Sequence, residues 1–142
     1  LVVPDVNLLV YAYNKDSSFH AAARGWWERC LSGSEPVGLS WMVILGFARV
    51  VSDRRAVAAP MSVEEAFAEC RHWLAEPCTR ILAPGPSHLD VLEGLLHGPA
   101  ISSSLVMDAH LAALAIEHQA ELHSNDWDFA RFSGLRWRNP VG

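Results

Sequence analysis

Lysine is nearly missing from this chain of 142 residues: Lys15 is the only one, and every other basic side chain is an arginine. Sixteen acids face eleven bases, for a net charge of −5 and a pI near 5.7. Such a balance excludes a protein that grips nucleic acid with its whole surface, but it leaves room for a local basic strip. Excess carboxylate is also what a site for hard cations draws on. Cysteine is scarce. Cys30, Cys70 and Cys78 are odd in number and lack C-x-x-C spacing, so no disulfide framework or zinc site is expected. They fit a reducing cytoplasm. No apolar run approaches the roughly 18 residues that span a bilayer. Leu1-Val2-Val3-Pro4-Asp5 carries no basic region, so no signal peptide is expected. There is no Gly-rich phosphate loop and no H-E-x-x-H pair among the seven histidines, most of which are expected at the surface or at caps.

What is present is apolar mass. Hydrophobic types make up 51% of the chain, enough for one sizeable core, and residues 1–142 are expected to form a single domain. Leu1–Pro4, Val37–Leu39, Thr79–Leu82, Glu121–Ser124 and Leu135–Trp137 read as short strands. Asn7–Tyr13 is apolar enough for a first helical turn. Helices are expected over His20–Leu31, behind a Ser17 or Ser18 cap, and from Ser40 to Ser52. A third runs from the Ser62/Glu65 capping box to Glu76. A fourth spans Ser87–Leu96, ended by His97-Gly98-Pro99, and the last spans Leu105–Gln119, with a short turn at Phe129–Phe132. Strands alternating with helices predict a parallel sheet covered on both faces.

Ligands of such sheets bind beyond the carboxyl ends of the strands. Asp5 closes the first strand there, and Asp126 and Asp128 follow the fourth. Asp108 lies in the first turn of a helix that is apolar nearly all round, where an ionised acid is costly unless paired or bound to metal. Each acid has a blander reading as a cap or turn former. Acids from three separate places at one sheet edge form a less ordinary coincidence. Clustered carboxylates repel one another unless a cation sits among them, and oxygen ligands suit Mg²⁺ or Mn²⁺. Such an ion can activate water and stabilise a transferring phosphoryl group.

Four blocks then line up in order across essentially the whole chain: Pro4-Asp5-Val6-Asn7-Leu8-Leu9, Gly46-Phe47-Ala48-Arg49-Val50, Asp108 through Ala115, and Ser124-Asn125-Asp126-Trp127-Asp128-Phe129-Ala130-Arg131-Phe132. The pattern resembles a PIN-domain ribonuclease and, within that family, a VapC-type toxin of a toxin–antitoxin pair. The resemblance implies a three-layer α/β/α sandwich around a mainly parallel sheet of four to five strands. It implies metal-dependent RNA cleavage, with Asp5, Asp108 and Asp126 catalytic and Asp5, Asp108, Asp126 and Asp128 around Mg²⁺ or Mn²⁺. Ser124 and Asn125 match the polar positions beside them, and the resemblance implies substrate binding by Ser124, Asn125 and Arg131, with Ser124 orienting the phosphate or a metal-bound water. The implied partners are RNA, a VapB-like antitoxin and a second copy in a homodimer. The departure is on the helix after the second strand, where similar proteins carry another acid. No carboxylate lies between Glu35 and Asp53, and Ile44 or Gly46 takes that place.

Among the remaining residues, Arg131, Arg136 and Arg138 are candidate phosphate contacts, and so are Arg49, Arg54 and Arg55. Trp26, Trp27 and Trp73 are expected in the core or at an oligomer contact. Trp127 is expected to pack, with base stacking as the alternative. Two other readings stand beside the nuclease. One is a catalytically weak or inactive PIN-like module that binds RNA or a partner. The other is a phosphatase with Asp5 as nucleophile, disfavoured because Asn7 stands where a second Asp is wanted.

Overall fold

In the computed structural model, residues 1–98 and 101–142 are described. Five strands form one all-parallel sheet in the order β3-β2-β1-β4-β5: β1 (Val2–Pro4), β2 (Val37–Leu39), β3 (Thr79–Ile81), β4 (Glu121–His123) and β5 (Arg136–Arg138). Six α-helices flank it: α1 (Val6–Tyr13), α2 (His20–Ser32), α3 (Trp41–Val51), α4 (Val63–Ala75), α5 (His88–Leu95) and α6 (Val106–Glu117). The α/β/α sandwich expected from the sequence is the fold. Its central strands β1 and β2 are buried at every position, as their unbroken apolar runs require. Edge strand β3 is half-buried to exposed.

The strand order reverses between β1 and β4, because the chain builds outward through β2 and β3 before returning to the other side of β1. Their parallel register sets Pro4 against His123, so the residues that follow, Asp5 and Ser124, emerge side by side. This is the switch point where open parallel sheets leave a crevice.

Local chemistry sets the element ends. Asp5 caps α1 directly after the strand, which is why a full eight-residue helix stands where the sequence promised one turn. The Ser40 side chain caps α3, and Ser62 and Glu65 form the expected capping box on α4. The expected serine cap of α2 is absent. Phe19 holds the N-cap position, and Ser17 instead accepts the Phe19 N–H at 3.1 Å. Helix α5 ends at Leu95, and Pro99 of the expected break lies outside the described residues. A 3₁₀ turn over Ser103–Leu105 leads into α6, and another spans Trp127–Arg131.

The core centres on Trp73 of α4. Its ring meets Phe47 at 4.6 Å, Trp27 at 5.4 Å and Tyr13 at 6.0 Å, and its indole N–H donates to the Tyr13 hydroxyl at 2.9 Å. Truncating such an anchor to alanine costs about 3–5 kcal/mol. The tryptophans expected inside are inside. Three histidines expected at the surface are not. His123 is buried, accepting from the Trp26 indole at 3.0 Å and bonded to Glu121 at 2.7 Å. His88 bridges Glu117 (2.6 Å) and His110 (2.8 Å) between α5 and α6, where a polar group needs a partner. The three cysteines are free, and burial pushes the Cys30 and Cys70 thiols up to about 11. No helix among the described residues is long and apolar enough to cross a membrane.

Candidate active site

The sequence from β4 into the following 3₁₀ turn supplies most of the site. Asp126 is the N-cap of that turn and accepts the Asp128 N–H at 2.9 Å. The capping reading therefore holds, and it leaves a second carboxylate oxygen free. Asp128 begins the turn, and Asp108 sits in the first turn of α6, where the helix dipole favours an acid. Asp108, Asp126 and Asp128 each offer a carboxylate oxygen, and the three lie within 4.8 Å of one another.

Asp5 stands beside this trio and does not belong to it. Its Oδ1 accepts the Val6 N–H at 2.7 Å, and its Oδ2 accepts the Ser124 hydroxyl at 2.7 Å. Burial pushes its pKa up, opposed by those two hydrogen bonds, with the Asp126 charge adding a further rise. Asp108 is raised from 3.8 to about 6, first by burial and then by the charges of Asp126, Asp5 and Asp128. A divalent cation would reverse the charge part of that shift. The donor set is all oxygen, and three acids converge on one point, so the residues present fit Mg²⁺ or Mn²⁺.

Beneath the acids lies a hub that the sequence did not show. Ser124 is fully buried. Its one hydroxyl proton goes to Asp5, and its oxygen accepts from the Asp126 N–H at 3.0 Å and from Asn7 Nδ2 at 3.3 Å. The hydroxyl is saturated, so Ser124 holds the acids in place and has no capacity left for phosphate. Asn125 is similarly engaged, donating to the Tyr11 hydroxyl (3.4 Å) and accepting from Asn139 Nδ2 (2.8 Å). Nothing in the sequence marks Tyr11 or Asn139 for this site. Only the placement of Asn7 two residues after Asp5, on the first turn of α1, hints at a role. Arg131 is on the surface, 3.4 Å from Asp128. Arg136 is tied to the Gln119 carbonyl, and Arg55 to Asp53.

A groove of about 510 Å³ is lined by Asp5, Val6, Met42, Leu45, Gly46, Arg49, Met107 and Asp108. Of the two α3 positions considered for an acid, Ile44 is buried in the core and Gly46 lines the groove. A Cβ built at Gly46 would meet Val6 Cγ2 at 2.9 Å, and a β-branched valine has little freedom to move aside. Arg49 follows one turn later on the same wall. Trp127, expected to pack, is instead 69% exposed.

Comparison with known proteins agrees with the fold. The PIN domain family matches residues 2–135. Ribonuclease VapC33 of Mycobacterium tuberculosis is 40% identical over 99% of both chains. Ribonuclease VapC43 of the same species is 42% identical over 96% of this chain and 93% of its own. Among solved structures, M. tuberculosis VapC20, described as a sarcin-ricin loop cleaving toxin, superposes with a TM-score of 0.67 at 19% identity, covering 96% of this chain and 99% of its own. VapBC2 from Rickettsia felis, solved on a fragment of promoter DNA, gives 0.68 at 19% identity over 97% of each chain. This chain belongs to the PIN-domain family, among the VapC ribonucleases.

Proposed function

We propose that this protein is a divalent-metal-dependent endoribonuclease, a VapC-type toxin restrained by a VapB-like antitoxin. The observation that carries the reading is the convergence of Asp108, Asp126 and Asp128 within 4.8 Å beside Asp5 at the sheet's switch point. Those three acids would hold the ion. Bound Mg²⁺ or Mn²⁺ supplies positive charge to the phosphoryl oxygens and acidifies water. Asp5, raised by burial and aimed by Ser124 and the Val6 N–H, takes the proton of the water that attacks phosphorus in line. The P–O bond opposite breaks, and its oxygen leaves with a proton from solvent. Arg49, in the groove wall, and Arg131, 3.4 Å from Asp128, are the cations available to the substrate phosphates.

The partner surfaces rest on α3 and α4. Trp41, Leu45 and Phe67 are exposed there around a groove of about 280 Å³ that also includes Ile44, Cys70, Arg71 and Leu74. A homodimer or an amphipathic antitoxin segment would cover such a face.

Total cellular RNA incubated with purified, antitoxin-free protein tests the activity. Discrete fragments in Mg²⁺ or Mn²⁺, absent in EDTA and absent with Asp5→Asn, support it. Intact RNA in every ion, from folded protein that still binds RNA, favours the non-catalytic module. The observation on that side is Gly46 in place of a carboxylate, with Val6 closing the space above it.

A further inference from the structure

We propose that Trp127 is a stacking platform for a nucleobase adjoining the cleaved phosphodiester; the proposal rests on the nuclease reading above. Trp127 is 69% exposed, the most exposed large hydrophobic side chain among the described residues. It lies between Asp126 and Asp128, about 3.8 Å of backbone from each. An indole left in water beside a cluster of acids is costly, and fold stability does not require it there.

The ring is supported on one side only. It meets Trp137 edge to face, with centroids 5.0 Å apart and planes at 72°. The Trp137 indole N–H donates at 3.1 Å to the carbonyl of Ser124, the residue that organises Asp5 and Asp126. Trp137 thus couples the platform to the same backbone that positions the acids, and the rest of the Trp127 ring stays open. Surroundings argue for RNA over a protein helix as the occupant. Asp126 and Asp128 flank the indole, with Arg131 one turn away, so a ligand that touches Trp127 must also satisfy carboxylates and a guanidinium. A nucleotide whose phosphate sits at the acid cluster does so. Its base is then within reach of the ring. Bases of single-stranded RNA are recognised by stacking on aromatic side chains, with wide tolerance of sequence. The apolar α3–α4 face around Trp41, which lacks an acid among its lining residues, has no such company.

The test uses the uncleaving Asp5→Asn protein, which keeps the three acids that would hold the ion, in Mg²⁺ with two probes: a short fluorescein-labelled oligoadenylate and an abasic ribose-phosphate oligomer of equal length. The base should contribute about 5- to 150-fold in affinity. Trp127→Leu should erase that ratio, Trp127→Phe should restore part of it, and Leu89→Ala, at a comparably exposed apolar side chain on α5, should leave it intact. Wild-type cleavage of total RNA is run alongside. An unchanged ratio in Trp127→Leu while the wild type still cuts overturns the platform and spares the nuclease. Folded wild-type protein that neither cuts nor binds overturns both. Loss of dimerisation or antitoxin binding in Trp127→Leu, with RNA affinity unchanged, assigns the indole to a protein interface and overturns the proposal.

Discussion

Helices α3 and α6 both reach the groove above Asp5, and they bring opposite chemistry to it. Helix α6 presents Asp108 in its first turn, where the helix dipole and the neighbouring strand end favour a carboxylate. Helix α3 presents Met42, Leu45, Gly46 and Arg49 from its first turn to its last. No dipole assists an acid at Gly46, and Val6 leaves no space for its Cβ. All the acid is therefore on one wall and beneath it, while the opposite wall is apolar with a single cation. A site built this way holds its ion from one side and leaves the other open to substrate.

Removing the acidic wall has the largest effect. Asp108→Asn should reduce RNA cleavage at least about 100-fold, since several kcal/mol of charge stabilisation depend on the ion it helps to hold. Initial rates over a range of Mn²⁺ concentrations check this. Undermining the wall from below comes next. Ser124→Ala strips a hydrogen bond from Asp5 and leaves the Asp126 N–H and the Asn7 amide unpaired. A loss of about 1–3 kcal/mol in stability is expected, read by urea unfolding. Activity should fall about 10- to 100-fold, as for other groups that orient ligands.

Giving the apolar wall an acid is the third change. Gly46→Glu alone should destabilise the fold by about 1–3 kcal/mol through its clash with Val6. Paired with Val6→Ala it should fold and bind Mn²⁺ more tightly than the wild type, as measured by calorimetry. An unchanged affinity in the folded double variant would mean that α3 does not face the ion.

The smallest effect is on stability and depends on pH. The folded Asp108 value of about 6 lies above its ordinary 3.8, so ionising this group costs the metal-free fold stability. That cost is absent below about pH 4, grows through the window up to about 6 and is complete above it. Metal-free Asp108→Asn should therefore melt higher than wild type at pH 7 and match it near pH 3.5. Thermal scans in EDTA check the sign, and equal melting at both pH values would contradict the burial and repulsion that raise Asp108.

Much of this contrast was legible in the sequence. Asp5 and the Asp126/Asp128 pair stood out because strand ends are visible in short apolar runs. Asp108 stood out because it is an acid in a helix that is apolar all round. The absence of a carboxylate on α3 was equally plain, but two positions competed for its place. Only packing, which buries Ile44 and turns Gly46 to the groove, decides between them. The Ser124 hub joins Asn7 to a residue 117 positions away, and no local pattern encodes that contact. Trp127 departs from the packing expected of it for a related reason. An indole beside apolar Phe129 reads as core, whereas the turn buries Phe129 and leaves Trp127 outside against Trp137.

An anomalous-difference map from crystals grown with Mn²⁺ tests the central claim most directly. The account predicts a peak bonded to carboxylate oxygens of Asp108, Asp126 and Asp128, lost in Asp108→Asn together with cleavage. A peak elsewhere, or no peak at Mn²⁺ concentrations that sustain cleavage, would contradict it.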